Sequence, residues 1–164
     1  MTMKNEALLV LVLVVIVAIL VTITFFTNKM VIEPDRSKLT VLIQAITLVE
    51  SNGNPNAINE AEDAVGILQI RPICLKDCNR IGYLQRHPRV LNSREWKLAD
   101  RFSAELSVSM FTVYTNYYMK YYKRTSLEDR ARIWNGGPKG WKKKSTIPYW
   151  NKVKAQLMKA NSNE

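Results

Sequence analysis

From Ala7 to Phe26 the chain is almost uninterrupted Leu, Val, Ile and Phe, broken only by Ala7, Ala18, Thr22 and Thr24. Roughly twenty apolar residues make a helix of about 30 Å, enough to cross the hydrocarbon core of a bilayer. The run ends in Thr24, Phe25, Phe26 and Thr27, without the small-residue site at which a signal peptide is cut. The pattern therefore predicts one transmembrane helix over about 7–26, retained as a signal anchor within an N-terminal segment of residues 1–31. Lys4 and the amino terminus on one side oppose Lys29 and Arg36 on the other, so charge alone barely decides the orientation.

After Met30–Arg36, a connector containing Pro34, the period changes. Leu39, Leu42, Ile43, Ile46 and Val49 recur at helical spacing, with Asp35 or Ser37 available as a cap. Glu50 stands at the end of this helix, off its apolar face, and Asn52, Gly53, Asn54 and Pro55 stop it. Residues 52–63 read as a loop. Gly66 then opens the apolar run Gly66-Ile67-Leu68-Gln69-Ile70, and Pro72 begins a helix closed by Gly82. Residues 83–92 form a polar loop. Asn92 with Glu95 resembles a capping box for a helix to about Lys123, whose stripe is Leu98, Phe102, Leu106, Met110, Val113 and Tyr117. Ser126 with Asp129 caps a helix over 127–135, stopped by Gly136, Gly137 and Pro138. A basic loop with Lys139, Lys142, Lys143 and Lys144 leads to a last helix from about Pro148 to Lys159. Residues 32–164 are thus expected to form one mostly helical domain with at most a small β-hairpin, between Asn52 and Ala64.

Lys and Arg outnumber Asp and Glu by 24 to 14, a net charge of +10. Such a balance suits a polyanionic partner: nucleic acid, an anionic membrane surface or a carboxylate-bearing wall polymer. The lone histidine, His87, leaves no His-rich metal site and no Ser/His/Asp arrangement, so catalysis falls to carboxylates, amides and hydroxyls. Cys74 and Cys78, four apart, do not form a CxxC motif and read as two small apolar residues on one helix face. A strained local disulfide is the alternative in an oxidising compartment. Glu50 is the first candidate for chemistry: a carboxyl at a partly buried helix end is desolvated, and its pKa rises towards what a general acid needs. Its plain alternative is a helix-end glutamate that snorkels into solvent.

Three separated pieces bear on that choice. They are Glu50-Ser51 followed by Asn54, Pro55, Ala57 and Asn59; Gly66-Ile67-Leu68-Gln69-Ile70; and Ala131-Arg132-Ile133-Trp134-Asn135-Gly136. Tyr149 and Val153 follow within YWNKV. Their order and spacing resemble the lytic transglycosylases of the SLT type, in the goose-type lysozyme-like superfamily, whose pattern is Glu-Ser, Gly-Leu-Met-Gln-Ile, Ala-x-Tyr-Asn-x-Gly and a later Tyr and Val. Trp134 departs from the Tyr of that pattern, and Ile67-Leu68 from its Leu-Met; both changes keep an apolar wall. The resemblance covers about Leu39 to Leu157.

The resemblance implies a lysozyme-like, mainly α (α+β) domain from a bacterium or its phage. It also implies cleavage of the β-1,4 bond between N-acetylmuramic acid and N-acetylglucosamine in peptidoglycan, with formation of a 1,6-anhydro ring. Glu50 would be the catalytic acid and then base. Ser51, Gln69, Asn135, Tyr149 and Trp134 would hold substrate or orient Glu50, and neither cofactor nor metal is expected. Since the wall lies outside, the amino terminus would be cytoplasmic and the domain extracytoplasmic, on the inner membrane. Machinery for secretion, division or phage lysis is a further candidate partner; nucleic acid is not, for want of a recognition motif. Two alternatives stand beside this reading: a hydrolytic muramidase with Asp63 activating water, and a non-catalytic wall-binding or assembly protein that keeps the groove.

Overall fold

The computed structural model describes residues 3–85 and 95–162, with side chains at 12–23, 38–85, 95–160 and 162. The chain forms two compact units, Met1–Thr40 and Val41–Glu164. Its elements are α1 (Met3–Ser51), β1 (Ile58–Asn59), β2 (Ala64–Val65), α2 (Pro72–Gln85), α3 (Ala104–Tyr121), α4 (Leu127–Gly136) and α5 (Ile147–Asn161).

In the first unit the described apolar side chains between Val12 and Ile23 are about half exposed. Among the described residues no helix is long and apolar enough to cross a membrane. The span expected over 7–26 begins and ends outside the described side chains. The connector expected at Met30–Arg36 does not interrupt the backbone, because α1 continues through it. Proline removes one hydrogen bond from a helix interior, at about 3 kcal/mol, and long helical runs lie on both sides of Pro34. Asp35 and Ser37 accordingly stand inside a helix instead of capping one.

Among the described residues the second unit is mainly helical with one two-stranded antiparallel sheet, Ile58 opposite Val65 and Asn59 opposite Ala64. Its core is Leu42 and Ile46 of α1, Leu68 and Ile70 of the turn after β2, Ile81 of α2, Met110 and Phe111 of α3, Ile133 of α4 and Val153 of α5, all within 1 % of full burial. The helical spacing of Leu42 and Ile46 thus does face the interior.

Three boundaries differ from the sequence expectation. α2 passes through Gly82 to Gln85, since a single glycine costs a helix only about 1 kcal/mol. The helix expected from Asn92 to Lys123 is in fact a 3-10 helix, Leu98–Phe102, followed by α3, because Ser103 takes an extended backbone and its side chain accepts from the Leu106 N–H. Asn92 and His87 lie outside the described residues. The basic loop is two 3-10 turns, Gly140–Lys142 and Lys144–Thr146. Ser126 caps α4 as its spacing with Asp129 predicts, accepting from the Asp129 N–H at 3.0 Å.

The hairpin is held from behind by Arg101, 5 % exposed. Its guanidinium donates to the carbonyls of Asp63 (2.8 Å) and Ile70 (2.9 Å) and to the Asp63 carboxylate (3.4 Å). Gly66 passes directly beneath the same residue. With φ +78° and a Cβ that would fall 2.0 Å from the Arg101 carbonyl oxygen, no other side chain fits there.

Candidate active site

The turn fixed by Gly66 and Arg101 forms the roof under which α1 ends. The Ser51 hydroxyl donates to the Ile67 carbonyl at 2.9 Å, tying the last turn of the helix to the turn after β2, and lies 3.3 Å from the Thr47 carbonyl. Gln69, in left-handed backbone at φ 48°, donates through Nε2 to the carbonyls of Gly66 (3.0 Å) and Ala57 (3.3 Å). Gln69 is half-buried, and these bonds use one side of its amide to brace the hairpin. Glu50, one residue before Ser51, is thereby held at the edge of a groove of about 910 Å³.

The groove has two unlike walls. Glu50, Glu62, Gln69 and Arg71 supply a polar one; Tyr114 and Trp134 supply an aromatic one, with Asn135 beside Trp134 at the end of α4. Trp134 is fixed by packing: its ring centre lies 4.9 Å from Phe111, and Tyr114 meets it edge-on at 5.9 Å and 87°. Of the residues singled out in the sequence, Glu50, Gln69, Trp134 and Asn135 line this groove. Tyr149 stands behind the acid, its hydroxyl donating to Glu50 Oε1 at 2.7 Å. Ser51 is placed at the roof by its bonds to main-chain carbonyls.

Glu50 is half-buried, and its pKa is raised from 4.5 to about 7. Desolvation is the cause; the Tyr149 hydrogen bond and the charge of Arg71 pull the other way, and the charge of Glu62 adds to the rise. Burial and the neighbouring Glu50 push the Tyr149 phenol well above its usual value, so it remains a donor. Near neutral pH Glu50 is thus poised between its acid and its carboxylate, the condition under which one group can give a proton and take one back.

The acidic turn before β2 sorts its carboxylates in a way the sequence did not indicate. Asp63, the expected second carboxylate of a hydrolase, has a left-handed backbone at φ 47°. It ion-pairs with Arg101 at 3.3 Å, away from the groove lining. Glu62 lines the groove instead, bridged to Arg71 at 3.4 Å, both side chains about half exposed. No local signal distinguishes the two: Glu62 closes a 3-10 turn, Glu60–Glu62, and Asp63 is drawn aside by Arg101, which is distant in sequence. Among the described residues no group of three or more His, Cys, Asp or Glu is placed to hold a metal. The two cysteines are free thiols; Cys78 is buried with Sγ 3.6 Å from the Met110 carbonyl, and Cys74 lies in the groove wall.

Comparison with known proteins agrees with this arrangement. The model of the transglycosylase SLT domain matches residues 33–156. Invertebrate-type lysozyme 6 of Caenorhabditis elegans is 34% identical over 122 residues, 68% of this chain and 82% of that protein. A lysozyme of Ostrea edulis is 33% identical over 99 residues, covering 59% of this chain and 63% of its own length. One chain of the crystal structure of Aeromonas hydrophila PliI in complex with Meretrix lusoria lysozyme superposes with a TM-score of 0.53 at 29% identity, covering 69% of this chain and 85% of that one. The chain therefore belongs to the transglycosylase SLT domain family and is a lysozyme-like glycosidase or transglycosylase.

Proposed function

We propose that the protein is a lytic transglycosylase that cuts peptidoglycan between N-acetylmuramic acid and N-acetylglucosamine. The observation that carries this is the Glu50 carboxyl at the groove edge, raised by burial to a pKa of about 7 and bonded by the Tyr149 hydroxyl at 2.7 Å. Protonated Glu50 gives its proton to the glycosidic oxygen as the bond from C1 of the muramic acid breaks and positive charge develops on that ring. The carboxylate left behind takes the proton of the same sugar's C6 hydroxyl, whose oxygen bonds to C1 and closes the 1,6-anhydro ring. No water is consumed, and Glu50 ends protonated as it began. An attacking group carried by the substrate itself has a high effective concentration. Trp134 offers a flat apolar face to a sugar ring, and Asn135 an amide for an N-acetyl group.

A second reading rests on Glu62. Its position in the same groove, and its electrostatic effect on Glu50, suit a base that activates water, as hydrolysis by an inverting route requires. The lysozymes among the relatives favour it too. Transglycosylation is preferred because Glu62 is already engaged by Arg71.

The apolar sequence of 7–26 supports a single-pass tether, and a wall substrate orients it on the inner membrane with the amino terminus cytoplasmic and the catalytic unit extracytoplasmic. Full-length protein should then stay in the membrane fraction after carbonate washing; a shortened soluble form would contradict the tether. The test of the site is Glu50→Gln, which keeps the shape of the side chain and removes the acidic proton. Cleavage of purified peptidoglycan should fall at least about 100-fold with the fold intact. A normally melting variant that still cuts at the wild-type rate would overturn the assignment.

A further inference from the structure

The aromatic wall does not stop at the catalytic end of the groove. From Trp134 the rings continue along α3: Tyr114 meets Tyr118 edge-on at 5.0 Å, Tyr118 meets Tyr117 at 5.0 Å, and Tyr117 lies nearly parallel to Tyr121, centres 6.3 Å apart and planes 17° from coincident. The first two tyrosines are buried and belong to the core, whereas Tyr121 is 67% exposed and contributes little to it. Arg80 of α2 joins this line to the groove, which it helps to line. Its Nε donates to Asp77 Oδ1 at 2.7 Å and its Nη2 to the Tyr118 hydroxyl at 3.1 Å. That hydroxyl in turn donates to Asp77 Oδ2 at 2.6 Å. So held, the guanidinium sits 5.6 Å from the centre of the Tyr117 ring.

We propose that Tyr117, Tyr121 and Arg80 form a distal sugar-stacking subsite that extends the groove and makes the enzyme favour long glycan strands; this rests on the reading of the groove as a glycan site. A pyranose presents electropositive C–H bonds on its face and hydroxyls around its rim. The negative face of an aromatic ring complements the first, and a guanidinium beside a carboxylate offers donors and an acceptor to the second. The exposed Tyr121 ring, nearly parallel to the half-buried Tyr117 and next to a fixed Arg–Asp pair, provides both. The plain alternative, a helix-surface tyrosine pair four residues apart, supports only the helix itself and predicts no effect of strand length.

The test compares a tetrasaccharide with a dodecasaccharide of peptidoglycan glycan, using full-length protein in detergent. Rates are measured with wild type, Tyr121→Ala and Tyr121→Phe, and binding with the same changes on Glu50→Gln protein. Tyr121→Ala should lower the dodecasaccharide-to-tetrasaccharide ratio of kcat/KM by about tenfold, mostly through KM, with the same loss in the binding ratio. Tyr121→Phe, which keeps the ring, should restore both ratios. An unchanged ratio in Tyr121→Ala, or equal weakening on both lengths, overturns the subsite. Wild type that cuts neither strand, yet binds the longer more tightly through Tyr121, would bring down the catalytic reading and leave the subsite standing.

Discussion

The two walls of the groove are made by different physics. On the polar wall, position comes from hydrogen bonds to the main chain: Ser51 to Ile67, Gln69 to Gly66 and Ala57, Arg101 to Asp63 and Ile70. On the aromatic wall, position comes from contact area, Trp134 against Phe111 and Tyr114. Directional bonds suit the wall that must place a proton to within a fraction of an ångström; packed rings suit the wall that must accept an extended sugar face. Loss of a bond on the first wall should therefore appear in the chemical step, and loss of a ring on the second in binding.

Among changes that leave Glu50 itself in place, the largest effect expected is at Tyr149. Tyr149→Phe removes the donor at 2.7 Å and keeps the ring. The hydrogen bond lowers the Glu50 pKa, so its loss should carry the alkaline limb of the rate profile to higher pH, with kcat falling about 10- to 100-fold as the carboxyl loses its orientation. A fall in kcat with the alkaline limb unmoved would mean that Tyr149 acts on something other than Glu50.

Trp134→Ala should act on the opposite wall. With the stacking face gone and Phe111 and Tyr114 left facing a void, KM should rise about tenfold while kcat falls less. The variant should also melt earlier, by the few kcal/mol that truncating a packed aromatic costs. If kcat took the whole loss, the division between the walls would not hold.

The acidic turn sharpens the comparison further. Asp63→Asn weakens a bridge to Arg101 behind the hairpin, and activity should stay within about threefold of wild type. Glu62→Gln removes a negative charge near Glu50, so its alkaline limb should move to lower pH with a similarly small change in rate. A 100-fold or greater loss in Glu62→Gln would instead establish Glu62 as a base.

The last effect expected is on stability and leaves the rate aside. Glu50 has a folded pKa of about 7 against 4.5, so the folded protein binds the proton more tightly than the unfolded chain does. Stability therefore declines as pH rises from about 4.5 through about 7 and levels off above it. Glu50→Gln lacks this dependence and should melt higher than wild type at pH 8 but not at pH 4, by differential scanning calorimetry.

Much of this was legible from residues. The helix ending at Glu50, the turn at Gly66 and the Ser126 cap follow from local rules, since periodicity, a left-handed turn and a capping oxygen act over a few residues. The choice between Glu62 and Asp63 was not legible, because it depends on Arg101, 38 residues away, reaching back to claim Asp63. The 3-10 helix before α3 escaped for the same reason: Arg101 turns inward there to serve carbonyls of a distant turn. Pro34 misled in the other direction, marking a break where α1 continues.

The central claim is that Glu50 serves as acid and then base without a water, and the most direct measurement is digestion of peptidoglycan in water enriched in heavy oxygen. The account predicts muramic acid ends one water lighter than hydrolytic ends and free of the label. Reducing ends carrying the heavy oxygen would contradict it and leave a hydrolase built on Glu50 and Glu62.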